Sequence, residues 1–237
     1  MKASYTFRIG NGSIPALLAA IALMLMSILP AWGANKTKDE ETISNGTSVL
    51  TAMLSAKDVP ADVLAKANCV VVIPKFKKGG FIVGGSGGRG PMSCRTGEDF
   101  SGKWSAPAMY TGSGVSVGLQ AGGSSSDFVL LLMNKKSVDA FLNGKTKLGR
   151  DASVAAGPGA TAANLGGDVL TYARTSGAFA GLSLGGATFE PDNSANQRLY
   201  DKAVSASQIV SGNAVQATTA GQAFVSLLDS KIATHSH

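Results

Sequence analysis

Histidine is almost missing from this chain. The only two, His235 and His237, stand in the terminal tail. The body therefore offers no imidazole base, which argues against Ser-His-Asp or Cys-His nucleophilic catalysis. Cysteine is equally scarce. Cys69 and Cys94 are the only two, too few, without body histidines, for a structural zinc site. Charged residues make up 15% of the chain and aromatics 6%. So little charge disfavours a helical bundle, and so few rings leave little for nucleic-acid bases to stack on. The acids Asp127, Asp151, Asp168 and Glu190 are scattered, with no spacing suited to paired acid–base work or a hard metal. The composition predicts no enzyme, no cofactor, no metal site and no nucleic-acid partner.

What the sequence does have is glycine, 30 residues of it, and a formal charge of +6. Abundant glycine with little charge points to a β-rich body with many tight turns. Lys2 and Arg8 precede a nearly unbroken apolar stretch, Ile14 to Leu29, and Ala31-Trp32-Gly33 supplies small residues at −3 and −1. This is the pattern of a secretory signal peptide over 1–34, cleaved near Gly33 or Ala34. A retained N-terminal anchor is the alternative reading. No cysteine near the cleavage point suits a lipoprotein acyl anchor. Without Lys2 and Arg8, 19 basic residues face 15 acidic ones, a charge of +4. The distribution matters more. Lys66 to Lys103 holds seven basic residues against Glu98 and Asp99, a local field that favours anionic partners.

The central stretch is CVVVIPKFKKGGFIVGGSGGRGPMSCR, Cys69 to Arg95. β-Branched runs bounded by Pro and Gly read as buried strands. They predict a hairpin with Lys75, Lys77 and Lys78 in a basic turn, and Arg89 in a glycine loop. Phe76, a bulky apolar residue among cations, suits insertion at a bilayer surface. The glycine loop formally satisfies G-x-G-x-x-G from Gly85 to Gly90, but Pro91 and a strand follow instead of a helix. The dinucleotide reading is therefore rejected. Backbone N–H groups of such a loop, with Arg89, would suit a phosphate. In an exported chain, an even cysteine count points to a Cys69–Cys94 disulfide, and two separate buried thiols are the alternative.

Along the rest of the chain, 35–41 reads as a flexible leader, and 42–232 as one domain with a 233–237 tail. Helical spacing runs from Ile43 to Leu54, and Pro60 to Ala67 forms a short helix. Strands are predicted over Lys103–Tyr110, Gly114–Ala121, Phe128–Met133, Asp151–Gly159, Asp168–Arg174, Gly177–Leu184 and Gly185–Glu190. Lys136–Leu142 is a helix, and Gly144 to Arg150 a second basic turn with Lys145 and Lys147. Helices from Ser194 and from Val215 close the chain. The order helices, strands, helices gives α+β: a glycine-rich, mainly antiparallel β body, sandwich- or barrel-like, flanked by N- and C-terminal helices.

The stretch just quoted is followed by WSAPAMYTGSGVSVGLQAGGSSSDFVLLLMN, KLGRDASVAAGPG and LTYARTSGAFAGLSLGGATFEPDNSANQRLY. Together they resemble the SYLF lipid-binding domain family, over about Ala52 to Asp201. The resemblance implies one non-catalytic lipid-binding module. Eukaryotic relatives bind phosphoinositides and act with the actin cytoskeleton, whereas bacterial relatives are typically exported. The SH3 and FYVE modules of some relatives are not in this sequence, so their actin partners are not transferable. The expected partner is a phospholipid or other anionic lipid at a membrane surface, met peripherally in the periplasm or outside the cell. The residues expected to meet it are Lys75, Phe76, Lys77, Lys78, Arg89, Lys145 and Lys147. The alternative is a structural or interaction protein of the cell envelope that binds an anionic polymer or protein.

Overall fold

The computed structural model describes residues 29–80, 83–117, 122–144, 146–147, 155–156, 163–165, 168–177, 187–212 and 214–232. Helices α1 (Leu29–Ser55) and α2 (Ala61–Leu64) lead into the long strands β1 (Cys69–Gly80), β2 (Val83–Cys94), β3 (Ala108–Val117) and β4 (Gly122–Leu132). Helix α3 (Lys135–Leu142) and the short strands β5 (Thr146–Lys147), β6 (Ala155–Ala156) and β7 (Ala163–Leu165) follow. Strand β8 (Val169–Gly177), strand β9 (Thr188–Pro191), and helices α4 (Asn193–Tyr200), α5 (Ala206–Val210) and α6 (Thr219–Ile232) complete the chain. The fold is α+β, with a curled, largely antiparallel sheet in the order β5-β9-β3-β2-β1-β4-β8-β6 and β7 also paired to β8.

Among the described residues, helices cover both faces of this sheet, but only over part of the strand length. In β1 alternate residues point to opposite sides. Val70 and Val72 join Ile43, Leu50, Met53, Leu64, Phe224 and Leu228 under α1, α2 and α6. Cys69, Val71 and Ile73 join Phe128, Leu130, Phe141, Phe189 and Ile209 under α3 and α5. Residues 69–74 are therefore buried throughout, while Lys75, Lys77, Gly79 and Gly80 are exposed. The uncovered ends of β2 and β4, Gly84–Gly88 and Gly122–Ser126, are built of Gly and Ser.

Pro74 explains a break in the pattern. It has no N–H to give the ladder, and strands admit it at bulges. The register of β1 against β4 slips between Ile73 and Phe76. Lys75 there adopts φ 51°, and its N–H donates to Asp127 Oδ1 at 2.8 Å. The bulge returns Phe76 to the core face, where its ring meets Phe128 edge-on at 5.5 Å.

Several expectations change. The three lysines lie on a strand, not a turn. The glycine run is β2 itself, so its N–H groups serve the sheet and no phosphate-cradling loop exists there. Residues 35–41 are helical, not a flexible leader. Thr37 and Thr42 hydroxyls donate back to the carbonyls of Gly33 and Lys38 at 3.1 and 2.8 Å, so these side chains are satisfied within the helix instead of competing for its backbone from outside it. Asp39, fully buried, docks that segment. The Asp168–Arg174 strand and the Lys136–Leu142 helix stand where expected, the final helix begins at Thr219 instead of Val215, and Cys69 and Cys94, directly opposite in register, are disulfide-bonded. Residues 1–28, Lys145 and the expected strand over 178–184 lie outside the described residues.

Burial raises the phenol of Tyr110 well above its ordinary value, and does the same for Tyr200. The Tyr110 hydroxyl donates to the carbonyl of Phe141 at 3.2 Å. In the unfolded chain these phenols ionise near pH 10. The folded state then holds the extra protons, so stability is intact below about pH 10 and falls as pH rises past it. Phenolate absorbance and far-ultraviolet circular dichroism should change together in an alkaline titration, and Tyr110→Phe should move the midpoint upward. Phenolate formation well ahead of unfolding would contradict the burial argument.

Candidate functional site

Residues directly opposite in adjacent strands share a face, so the register orders the side chains on the α1 side of the sheet into zones. Nearest the helices lies the apolar core of Val70, Val72, Met109, Val129 and Leu131. Next comes a belt of charge. Arg89 on β2 donates through Nη2 to Asp39 Oδ1 at 2.6 Å and through Nε to Asp192 Oδ2 at 2.8 Å. Arg198 on α4 donates through Nε to Asp39 Oδ2 at 2.8 Å. Arg174 pairs with Asp58 on the neighbouring part of the same face. Burial pulls the Arg89 guanidinium down, but its bonds and charge partners Asp39 and Asp192 outweigh that and hold it above its ordinary value.

Beyond the belt no acid stands on this face among the described residues. Lys147 pairs with Thr188, Thr188 with Ser113, Ser113 with Gly87, Gly87 with Lys77, and Lys77 with Ser125. This single row carries two exposed lysines four strand spacings apart, about 19 Å along a flat sheet. The side-chain ammonium groups of Lys75, Lys77, Lys78 and Lys147 have no acidic partner among the described residues. One row further out, Val115, Gly85, Gly79 and Gly123 are aligned. Val115 is 81% exposed there, the one large apolar side chain so exposed among the described residues.

On the opposite face Lys78 lies between Ser86 and Ser124. An open trough of about 860 Å³ crosses β1, β2 and β4 at this level, lined by Lys77, Lys78, Ser86, Ser124 and Ser125 among others. Ser86 Oγ donates to the Gly114 carbonyl at 3.3 Å. Ser124 Oγ is buried there without a partner. This arrangement can attract an anion by the charge of its lysines. Among the described residues it offers no cluster of metal ligands.

Of the residues singled out from the sequence, Lys75, Lys77, Lys78 and Lys147 stand on the uncovered end. Two are corrected. Phe76 is 3% exposed and belongs to the core, so it cannot insert into a bilayer. Arg89 is neutralised by Asp39 and Asp192. Lys145 lies outside the described residues. Sequence reasoning missed Val115 as an exposed residue. Its place in an alternating run suited an ordinary strand, and nothing local revealed that no described helix covers this strand end.

Comparison with known proteins places these features in context. A family model described as Ysc84, Las17-binding protein actin regulator, matches residues 113–231. An SH3 domain-containing protein of Schizosaccharomyces pombe is 34% identical over 189 residues, covering 76% of this chain and 43% of that protein. The SH3 domain-containing YSC84-like protein 1 of Homo sapiens is 34% identical over 164 residues, 66% of this chain and 47% of that protein. LAS seventeen-binding protein 3 of Saccharomyces cerevisiae is 33% identical over 163 residues, 65% of this chain and 35% of that protein. The chain thus spans less than half the length of these relatives. No solved structure matches.

The zoning separates core from surface in a testable way. Phe76→Ala should cost about 3–4 kcal/mol in denaturant unfolding, as for a buried ring removed from a packed core. Lys77→Ala should stay within about 0.5 kcal/mol. Equal costs would contradict the assignment of Phe76 to the core.

Proposed function

The chain belongs to the SYLF (Ysc84) family, a family of non-catalytic lipid-binding and actin-regulatory domains, and from that premise we propose that it binds membrane surfaces rich in anionic headgroups. The contact is the uncovered end of the sheet. Val115 enters the headgroup boundary, and Lys77 and Lys147, one row behind it, meet the phosphates. Lys75 and Lys78 add charge at the same end. The observation that carries this reading is the order of the zones: an exposed apolar residue near the end of β3, lysines without an acidic partner next, and cations already neutralised behind them. An apolar side chain backed by basic residues suits the boundary between acyl chains and headgroups, where each lysine gains about 1 kcal/mol from anionic lipid.

The partner in this reading is a phospholipid or other anionic lipid, met peripherally. Among the described residues no helix is long and apolar enough to cross a membrane. Las17 and actin are named for the family model and stay with the proteins so named. We also read the chain as exported, to the periplasm or beyond the cell. Two features support that reading: the signal-like pattern of 1–34, and a buried disulfide of the kind oxidising compartments preserve.

Flotation of the full chain with phosphatidylserine-containing and pure phosphatidylcholine vesicles tests the proposal. The chain should favour the anionic vesicles, and added salt should erode the preference. Lys77→Ala with Lys147→Ala should weaken binding on the order of tenfold or more, and Val115→Asp should weaken it as well. Equal binding to both vesicle types, or none, would overturn the proposal.

A further inference from the structure

Two arginines from different elements, Arg89 on β2 and Arg198 on α4, converge on one carboxylate. Asp39 takes a guanidinium on each oxygen, at 2.6 and 2.8 Å, and its side chain is 1% exposed. Guanidiniums gathered in this way are what proteins use to hold carboxylates and phosphates. Here the anion is supplied by the chain itself, from the first half of α1. We infer that Arg89 and Arg198 form a latent site for an external oxyanion of the phosphate class, filled by Asp39 while the helix arm 33–42 is docked.

The arm is held differently from the rest of its helix. Among residues 33–42 only Asp39 is buried. Ile43, Leu50 and Met53 anchor the second half in the core, and Gly46 lets that half come close to Pro91, where a Cβ would lie 2.8 Å from the ring. The outer contact of the arm is an ion pair, Lys36 with Asp201. Docking of 33–42 therefore rests on charge. The attraction within a buried ion pair is largely offset by the cost of desolvating it, so an external anion can compete for the same guanidiniums without disturbing the apolar half.

Position ties this site to the uncovered lysines. Arg89 lies two residues along β2 from Gly87, about 7 Å from the row of Lys77 and Lys147 and on the same face. Release of the arm takes Asp39, Glu40 and Glu41 away and frees Arg198 and the Nη2 end of Arg89, whose Nε stays on Asp192, beside the lysines. A membrane contact begun by the lysines would thus strengthen itself as the arm leaves. The lipid source of the phosphate rests on the membrane reading above. The arginine site itself does not.

The test uses the full chain and its Asp39→Asn variant, with inorganic phosphate alone and with phosphatidylserine-containing vesicles. Phosphate should shift the arginine Nε–H resonances of D39N and leave those of the wild type unmoved. D39N should bind the vesicles roughly tenfold more tightly than wild type, and adding Arg198→Ala should abolish the gain. On vesicles, the wild-type amides of 34–42 should exchange hydrogen faster. A folded D39N that neither responds to phosphate nor gains vesicle affinity overturns the site. If D39N fails to fold, the wild-type exchange measurement decides, and unchanged or slower exchange over 34–42 overturns it. If neither protein binds vesicles the membrane reading falls, while the phosphate titration still decides the arginine site.

Discussion

The strands of this protein outrun the helices that cover them, and the rest of the structure follows from that mismatch. A twelve-residue strand such as β1 is about 40 Å long. The helical layers bury only its first half. A sheet face without cover cannot carry the Val, Ile and Leu of a core, so beyond Pro74 the strands change composition. Glycine and serine keep the ladder paired while exposing little apolar surface, and lysines stand in water. The glycine content and low charge of the sequence are products of this geometry.

The charged belt marks where cover ends. Asp39, Asp58 and Asp192 meet Arg89, Arg198 and Arg174 at the edge of the helical layer. Buried ion pairs of this kind contribute little net stability, because desolvation cancels most of their attraction. They do fix position: α1 and α4 are both tied to β2 through one arginine. Asp192 also caps α4, accepting the Ala195 N–H at 3.0 Å, so one carboxylate orients a helix and neutralises the sheet beside it. The same economy makes the belt open to competition from outside anions.

Much of the fold was legible in the sequence. The hairpin from Cys69 to Cys94, its disulfide, the helical ends and the antiparallel glycine-rich body all left local signals in β-branched runs, helical spacing and cysteine count. What was not legible depended on partners far away. Arg89 read as a free cation because Asp39 and Asp192 lie 50 and 103 residues from it. Phe76 read as exposed because it sits among lysines. The bulge at Pro74–Lys75 resets the alternation, and its effect on facing appears only once β4 is beside β1. Residues 35–41 read as a leader because their polarity hides one buried carboxylate. The lysines stood out in the sequence as a cluster, but the row that Lys77 shares with Lys147 exists only through the pairing of five strands.

Side-chain depth at the two ends of the sheet tests the central claim most directly. A nitroxide placed at Ser113→Cys reports on the uncovered end, and one at Ser207→Cys, on α5, reports on the helix-covered end. On phosphatidylserine-containing vesicles the label at 113 should gain collisions with lipid-dissolved oxygen and lose contact with a water-soluble relaxer, while the label at 207 stays aqueous. Burial of the label at 207, with that at 113 left in water, would contradict the account.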